Sequence, residues 1–274
     1  MAHVLAQLRE RDGRSAAQVA ETLGVAESTV TRLETPKHLT LPKPDLINRL
    51  LDVYSADDDT RHKVAVLVVE ARQRDWWHPY KAGLQPSFAT YLGLEGEVAS
   101  LRIFQPALIP AVLATADYAT ASLCEQLPDL PEEQVVAFVA ERHQHHLNLL
   151  TGPDPVRVWG VLGEGALRQV VGGPAVMAGQ MLHLQRLMDL PNVTLTVLPL
   201  AAGAHPGVGP FTVLTFPEPA DPEMAYLPDP LGGHWVKGRA VDDLRGVFEE
   251  ILALAVDRAE TIALLEEVAA GYAG

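Results

Sequence analysis

Between Ser15 and Glu34 the chain reads SAAQVAETLGVAESTVTRLE, and the spacing of its apolar residues lays out two short helices joined by a tight turn. Ala17, Val19, Ala20 and Leu23 fall where a first helix turns inward. Gly24 permits the left-handed backbone that ends it, and Val30 and Leu33 return to the core from a second helix. Ser15 is placed to cap the first helix, and Gln18, three positions on, to close a capping box. This is the pattern of a helix-turn-helix, whose second helix enters the DNA major groove. An ordinary helical hairpin is the alternative the same spacing allows. Ser28, Thr29, Thr31 and Arg32 face outward on the second helix. Short hydroxyls suit phosphate oxygens or base edges, and an arginine suits guanine or phosphate. For Arg32 an intramolecular pair with Glu34 or Glu21 stands beside direct DNA contact.

With 274 residues and 48% hydrophobic content, the chain can bury a substantial core, and two domains are the natural expectation. No apolar run approaches the roughly 20 residues of a membrane span. The start, MAHVLAQLRERDGRS, reads as an amphipathic charged helix rather than a signal peptide, so a cytoplasmic protein without a membrane partner is expected. Cys124 is the only cysteine, which excludes an internal disulfide and a cysteine-rich zinc site; Leu123 and Ala121 beside it mark a buried thiol rather than a nucleophile. The net charge of −14 works against DNA binding, which depends on lysine and arginine neutralising phosphates. Its distribution matters more. Residues 1–50 carry seven basic and six acidic residues, a net of +1, and the remainder carries −15. Only the N-terminal end can approach DNA without general repulsion, and its weak field favours a homodimer reading two half-sites.

After the hairpin, residues 41–77 read as two more helices, with Pro44 near a helix start and Leu46, Leu50, Leu51 and Val53 on the buried face. This completes an all-helical domain over 1–74, leaving 75–274 as a second. Trp76 and Trp77 open that region, where packing at a domain interface competes with ligand binding. Residues Tyr91 to Leu127 read as at least two helices broken by Pro106 and Pro110, and another runs from Pro131 to about Leu150. Strand signals follow at Val156–Leu162, Val193–Leu200, Phe211–Phe216, Met224–Leu227 and Gly233–Gly238, with a helix from Pro174 to about Met188 between the first two. Helices at Ala240–Ala255 and Asp257–Ala270 close the chain. The fold class is α+β: a helical N-terminal domain, then a helix-rich domain with a small, mainly antiparallel sheet.

The segments VAETLGVAESTVTRLE, ARQRDWWHPY, YLGLEGEVASLRIFQPALIPAVLATADYA, EGALRQVVGGPAVMAGQMLHL and NVTLTVLPLAAGAHPGVGPFTVLTF, with the final helical pair, are similar in order and spacing to a known family. The chain resembles the Xre-type transcriptional regulators abundant in filamentous actinobacteria, in which a helix-turn-helix precedes an uncharacterised domain. The resemblance implies a regulator that binds double-stranded DNA through Glu27, Ser28, Thr29, Thr31 and Arg32. It also implies a C-terminal domain that senses a small molecule or, as in antitoxin-like relatives, a small protein partner. The chain departs from the family in having Ala26 where a serine cap is common and Thr29 where a lysine is common. ERHQHHL and Tyr226-Leu227-Pro228 are further departures. A missing cap costs about 1 kcal/mol. These departures leave open a biosynthetic enzyme or small-molecule binding protein derived from the family, using a pocket in the C-terminal domain.

Candidate chemistry is sparse. His143 and His146, with His145, form a histidine cluster; three residues apart on a helix, His143 and His146 share a side, suiting a metal ligand pair or a general base. Flanking apolar residues make partly buried, satisfied histidines the default, and third and fourth ligands are absent, so no metal is assigned. GAHPGVGPF, Gly203 to Phe211, forms a loop that either presents His205 to a pocket mouth or simply joins two strands. Without a lysine it is not a phosphate-binding loop. His205, Tyr118, Trp159, Tyr226 and Trp235, with Trp77, His143 and His146, are the candidate ligand-binding residues; core packing is the alternative for the aromatics. No catalytic dyad or dinucleotide motif appears, no cofactor is expected, and His143, His146 and His205 are the catalytic candidates if the chain is an enzyme.

Overall fold

The computed structural model describes residues 2–34, 44–57, 60–61, 64, 80, 84–128, 130–217, 222–230 and 232–272. Trp76, Trp77 and the expected boundary near residue 74 lie outside the described residues. The chain divides into two compact units, Met1–Trp76 and Trp77–Gly274.

In the first unit, helices α1 (Ala2–Asp12), α2 (Ala16–Leu23), α3 (Glu27–Leu33) and α4 (Pro44–Val53) enclose one apolar cluster. Val19, Ala20 and Leu23 of α2 and Val30 and Leu33 of α3 meet Leu5, Leu50 and Leu51 there, all below a tenth exposed. Each fully buried Val or Leu contributes about 1.5–3 kcal/mol, so these few contacts fix how α2 crosses α3. Ala17, expected to face inward, is exposed, but the capping signals act as the sequence implies. Ser15 caps α2, the Gln18 side chain closes the capping box, and Gly24 takes φ 68° to end the helix.

The second unit is built on one six-stranded sheet: β1 (Ser100–Gln105), β2 (Arg157–Gly163), β3 (Val193–Leu198), β4 (Phe211–Thr215), β5 (Met224–Leu227) and β6 (His234–Lys237). The order is β3-β2-β1-β4-β5-β6, with β1, β2 and β3 parallel and β4, β5 and β6 joining antiparallel. The sheet is therefore larger than the small, mainly antiparallel one expected, and mixed, with two parallel and three antiparallel pairings. The difference comes from β1. Its sequence, SLRIFQ, lies in a stretch read as helix, yet Leu101, Ile103 and Phe104 are buried on both faces at the centre of the sheet. A strand covered on both sides loses the polar alternation that marks a half-buried one.

Helices make the parallel crossovers. Following α5 (Pro86–Glu95) and β1, α6 (Ala116–Gln126) and α7 (Glu132–Thr151) lead to β2. Helices α8 (Glu164–Arg168) and α9 (Pro174–Met188) lead to β3, and α10 (Arg239–Leu254) and α11 (Arg258–Tyr272) close the chain. Register sorts the faces: Arg102, Trp159, Val213, Ala225 and Val236 form one row, so Tyr226 and Trp235, one residue out of step, lie on the opposite face. On the first face Phe248 and Ile251 of α10 pack against Phe104, Val161 and Phe211. Two side-chain amides lock connections: the buried Gln180 accepts from the Thr115 N–H (2.7 Å) and donates to the Leu113 carbonyl (2.8 Å). Asn192 donates to the carbonyls of Leu150 and Val156. Gly163, at the end of β2, presses on Pro106, where a Cβ would lie 2.7 Å from the carbonyl oxygen.

Candidate nucleic-acid interface and sensing residues

Helix α3 buries Val30 and Leu33 and leaves Glu27, Ser28, Thr31 and Arg32 exposed, with Thr29 half-buried. Its N-cap, Ala26, has extended backbone geometry (φ −70°, ψ 143°) and no side-chain cap bond. Thr31 spends its hydroxyl locally on the Glu27 carbonyl (3.2 Å). The two acids weighed as partners for Arg32 do not take it. Glu34 is held by the Arg9 guanidinium (2.8 Å) and by the Tyr54 hydroxyl (3.3 Å). Burial and the Glu34 charge push the Tyr54 hydroxyl well above its ordinary range, so it stays a donor.

Of the other described arginines of this unit, Arg11 is also exposed, and the rest are occupied. Arg14 pairs with Asp12 and donates to the Val53 carbonyl, Arg49 donates to the Leu23 carbonyl, and Arg61 pairs with Asp52 (2.8 Å). These bonds stitch the helices together and take their cations out of play for a ligand. Arg32 is left as an exposed cation on α3, beside two exposed hydroxyls.

In the second unit the candidate side chains separate into four places. Tyr226 and Trp235 pack on each other (ring centroids 5.2 Å) and on Tyr91 of α5 (5.0 and 6.4 Å). The Tyr226 hydroxyl donates to the Gly232 carbonyl and the Trp235 indole N–H to the Ser87 carbonyl (3.1 Å). Trp159, half-buried on the opposite sheet face, lies beneath the guanidiniums of Arg102 (5.0 Å) and Arg157 (5.6 Å). Tyr118 is 1% exposed and accepts from the Ile109 N–H. His205 sits edge-on to Phe104 (5.8 Å), with Nδ1 buried and without a hydrogen-bond partner. The geometry thus brings Tyr226 and Trp235 together and leaves Trp159, Tyr118 and His205 apart from them. Trp77 lies outside the described residues.

The histidine cluster divides in the same way. His143 is half-buried and faces His183 of α9 (6.5 Å between ring centroids). His146 is buried, and its Nε2 lies 3.1 Å from Glu95 Oε2. Glu95, missed by the sequence reading, is 0% exposed and also faces Arg142 (3.6 Å), whose guanidinium lies over the Phe88 ring (5.2 Å). Burial alone would raise the Glu95 pKa, but His146 and Arg142 outweigh it and hold the carboxyl well below its usual range. Burial lowers both histidines against the pull of Glu95, His145 to about 4. At neutral pH the cluster is therefore a carboxylate–guanidinium pair beside two neutral imidazoles. The signal for it was present: a lone glutamate ending the apolar run YLGLE, and Arg142 and His146 four apart on one helix.

Among the described residues no group of three or more His, Cys, Asp or Glu side chains is arranged to hold a metal ion, and no helix is long and apolar enough to cross a membrane. Residues 88–267, more than half of the chain, match the family model described as Domain of unknown function (DUF5753). The chain belongs to the DUF5753 family. Residues 1–64 match a helix-turn-helix domain model, so this DUF5753 protein carries the kind of domain found in DNA-binding regulators. The match takes in α1 to α4, and the DUF5753 match takes in the whole sheet, with the Glu95–Arg142–His146 cluster inside it. A search of curated proteins and of solved structures finds no match to the chain.

Proposed function

We propose that this DUF5753 protein is a cytoplasmic, homodimeric transcriptional regulator that reads double-stranded DNA through α3, and that its C-terminal unit senses a small molecule or protein partner. The observation that carries this reading is the exposed row Glu27, Ser28, Thr31 and Arg32, with Arg32 unpaired among the described residues and Glu34 held by Arg9 and Tyr54. An arginine so placed forms either a bidentate bond to guanine, worth about 1–3 kcal/mol of discrimination, or a phosphate contact. Ser28 and Thr29, in the first turn of α3, sit where a recognition helix meets base edges and phosphates. The first unit carries eleven basic and twelve acidic residues, so long-range attraction to DNA is weak and two copies on two half-sites are needed for tight binding. The second unit, with ten basic and 23 acidic residues, stays off the phosphates and serves the signal. A signal acts by favouring one relative placement of the two α3 helices over another.

The test selects duplexes from a randomised double-stranded pool with the full chain and measures fluorescence anisotropy on a selected duplex at fixed salt. Arg32→Ala is expected to weaken binding about 5- to 150-fold, from the loss of about 1–3 kcal/mol. If the lost contact is to phosphate, the salt slope also falls by about one. Selection of no duplex, or undiminished affinity in Arg32→Ala, overturns the proposal.

A further inference from the structure

Trp159 lies on one of the two central parallel strands beneath two cations. Arg102 is its register partner on β1 and Arg157 stands two residues before it on β2, so the three side chains share one face of the sheet. Both guanidiniums lie over the indole ring, 5.0 and 5.6 Å from its centroid. Helix α10 covers the neighbouring part of this face, where Phe248 and Ile251 pack with Phe104, Val161 and Phe211. The part that carries Trp159 is more open: Trp159 and Arg102 are half-buried, while Arg157 and Thr194, the register partner of Trp159 on β3, are exposed. Parallel strands are ordinarily covered on both faces, so an accessible patch on the β1–β2 pair is a departure from the rule.

The charge on that patch is unpaired. Acidic residues outnumber basic ones by 23 to ten in the second unit, and Arg142, Arg168, Arg245 and Arg258 each have a carboxylate partner. Among the described residues Arg102 and Arg157 have none. Glu223, on the same face beside Thr215, is held by the Thr215 hydroxyl (2.8 Å) and by Arg245 (3.0 Å). Stacking on an indole uses the flat face of a guanidinium, steadies a long side chain and leaves the in-plane N–H donors for a ligand. Two such forks, with the Thr194 hydroxyl beside the ring, match the oxygens of phosphate or carboxylate groups. The acidic body around the patch repels an extended polyanion such as a nucleic-acid strand, which selects a small ligand that touches only the two arginines and the indole.

We propose that Arg102, Arg157 and Trp159 form a binding site for a small anion with two or more negative charges, carried on phosphate or carboxylate groups, and that this anion is the signal of the second unit. Only the last clause rests on the regulatory reading above. One guanidinium answers one charge, and two over one ring answer two.

Isothermal titration calorimetry on the full chain tests it, with pyrophosphate and with citrate as probes at an ionic strength held constant with potassium chloride. At least one probe is expected to bind saturably. Arg102→Gln and Arg157→Gln are each expected to weaken that binding about tenfold or more, with an unchanged far-UV spectrum. Arg157 is exposed, so its variant keeps the test open if Arg102→Gln disturbs the sheet. Arg186→Gln removes the same charge from an exposed arginine on α9 and is expected to leave binding unchanged. Binding of pyrophosphate alone supports the site and assigns a phosphate-bearing ligand; binding of citrate alone supports it and assigns a carboxylate-bearing one. Saturable binding of neither probe, binding indifferent to Arg157→Gln, or an equal loss in Arg186→Gln overturns the site. Calorimetry decides this whether or not the chain selects a duplex. Where a duplex is selected, the saturating probe is expected to change its affinity, and an affinity that does not move overturns the role of the anion as the signal.

Discussion

Replacing Glu95 with glutamine keeps the shape of the side chain and removes its charge, leaving the Arg142 guanidinium buried without a counter-ion. The Arg142 side chain is 10% exposed, so little of its charge is left to water. Breaking one partner out of a buried ion pair costs about 3–5 kcal/mol. The stacking of Arg142 on Phe88 returns only about 1 kcal/mol, too little to take the carboxylate's place. A domain of 150–250 residues loses about 2–4 °C of melting temperature per kcal/mol, so Glu95→Gln is expected to lower the melting of the second unit by roughly 10 °C. Differential scanning calorimetry of the full chain at pH 7.5 measures this. The double variant Glu95→Gln, Arg142→Met is expected to recover part of the loss, because the stranded cation is then gone. A drop of less than about 2 °C in the single variant, or a double variant no better than the single one, refutes the idea that the pair is held by mutual need.

The same cluster makes the second unit acid-sensitive. His145 and His146 have folded pKa values lowered by burial, His145 to about 4 from 6.5, so the unfolded chain takes the protons first. Stability is full above about pH 6.5 and declines as the pH falls toward 4; a melting temperature constant from pH 7 to 4.5 contradicts this. Ala26→Ser is expected to supply the missing cap of α3 and stabilise the first unit by about 1 kcal/mol, read as a higher urea midpoint. Gly163→Ala drives a methyl group against the Pro106 backbone at 2.7–2.9 Å, which cannot rotate away, and is expected to cost about 1–3 kcal/mol in a urea titration.

The first unit was legible because its determinants are local. A cap at Ser15, a left-handed glycine at Gly24 and aliphatics three and four apart act within a turn or two of the chain, and the structure carries each of them. The later strands and the closing helices were legible for the same reason, to within a residue or two for most of them. What was hidden depends on partners distant in sequence. Nothing within SLRIFQ says that Arg157–Gly163 will lie parallel on one side and Phe211–Thr215 antiparallel on the other, so β1 and the mixed character of the sheet were missed together. Glu95 reads as an ordinary surface carboxylate until Arg142 and His146 are brought over it. The aromatics were grouped as one candidate ligand set, but alternation along a strand sends Tyr226 and Trp159 to opposite faces once register is known. For Arg32 the sequence left two partners open, and the structure withdraws Glu34 by giving it to Arg9.

The clasp on the first turn of α5 bears on how the protein is made. Ser87 donates to the Gly232 carbonyl and accepts through its own carbonyl from Trp235, across 145 and 148 residues of sequence. The N-terminal unit ends about 200 residues before the chain does, and its short-range contacts let it mature on the ribosome. The larger unit cannot tie down its first described helix until nearly everything else has been translated. A message truncated between β4 and β5 therefore yields a polypeptide whose front end is complete and whose remainder stays open, with Tyr91 stripped of Tyr226 and Trp235. Such a product is a substrate for proteases and chaperones rather than a smaller working copy.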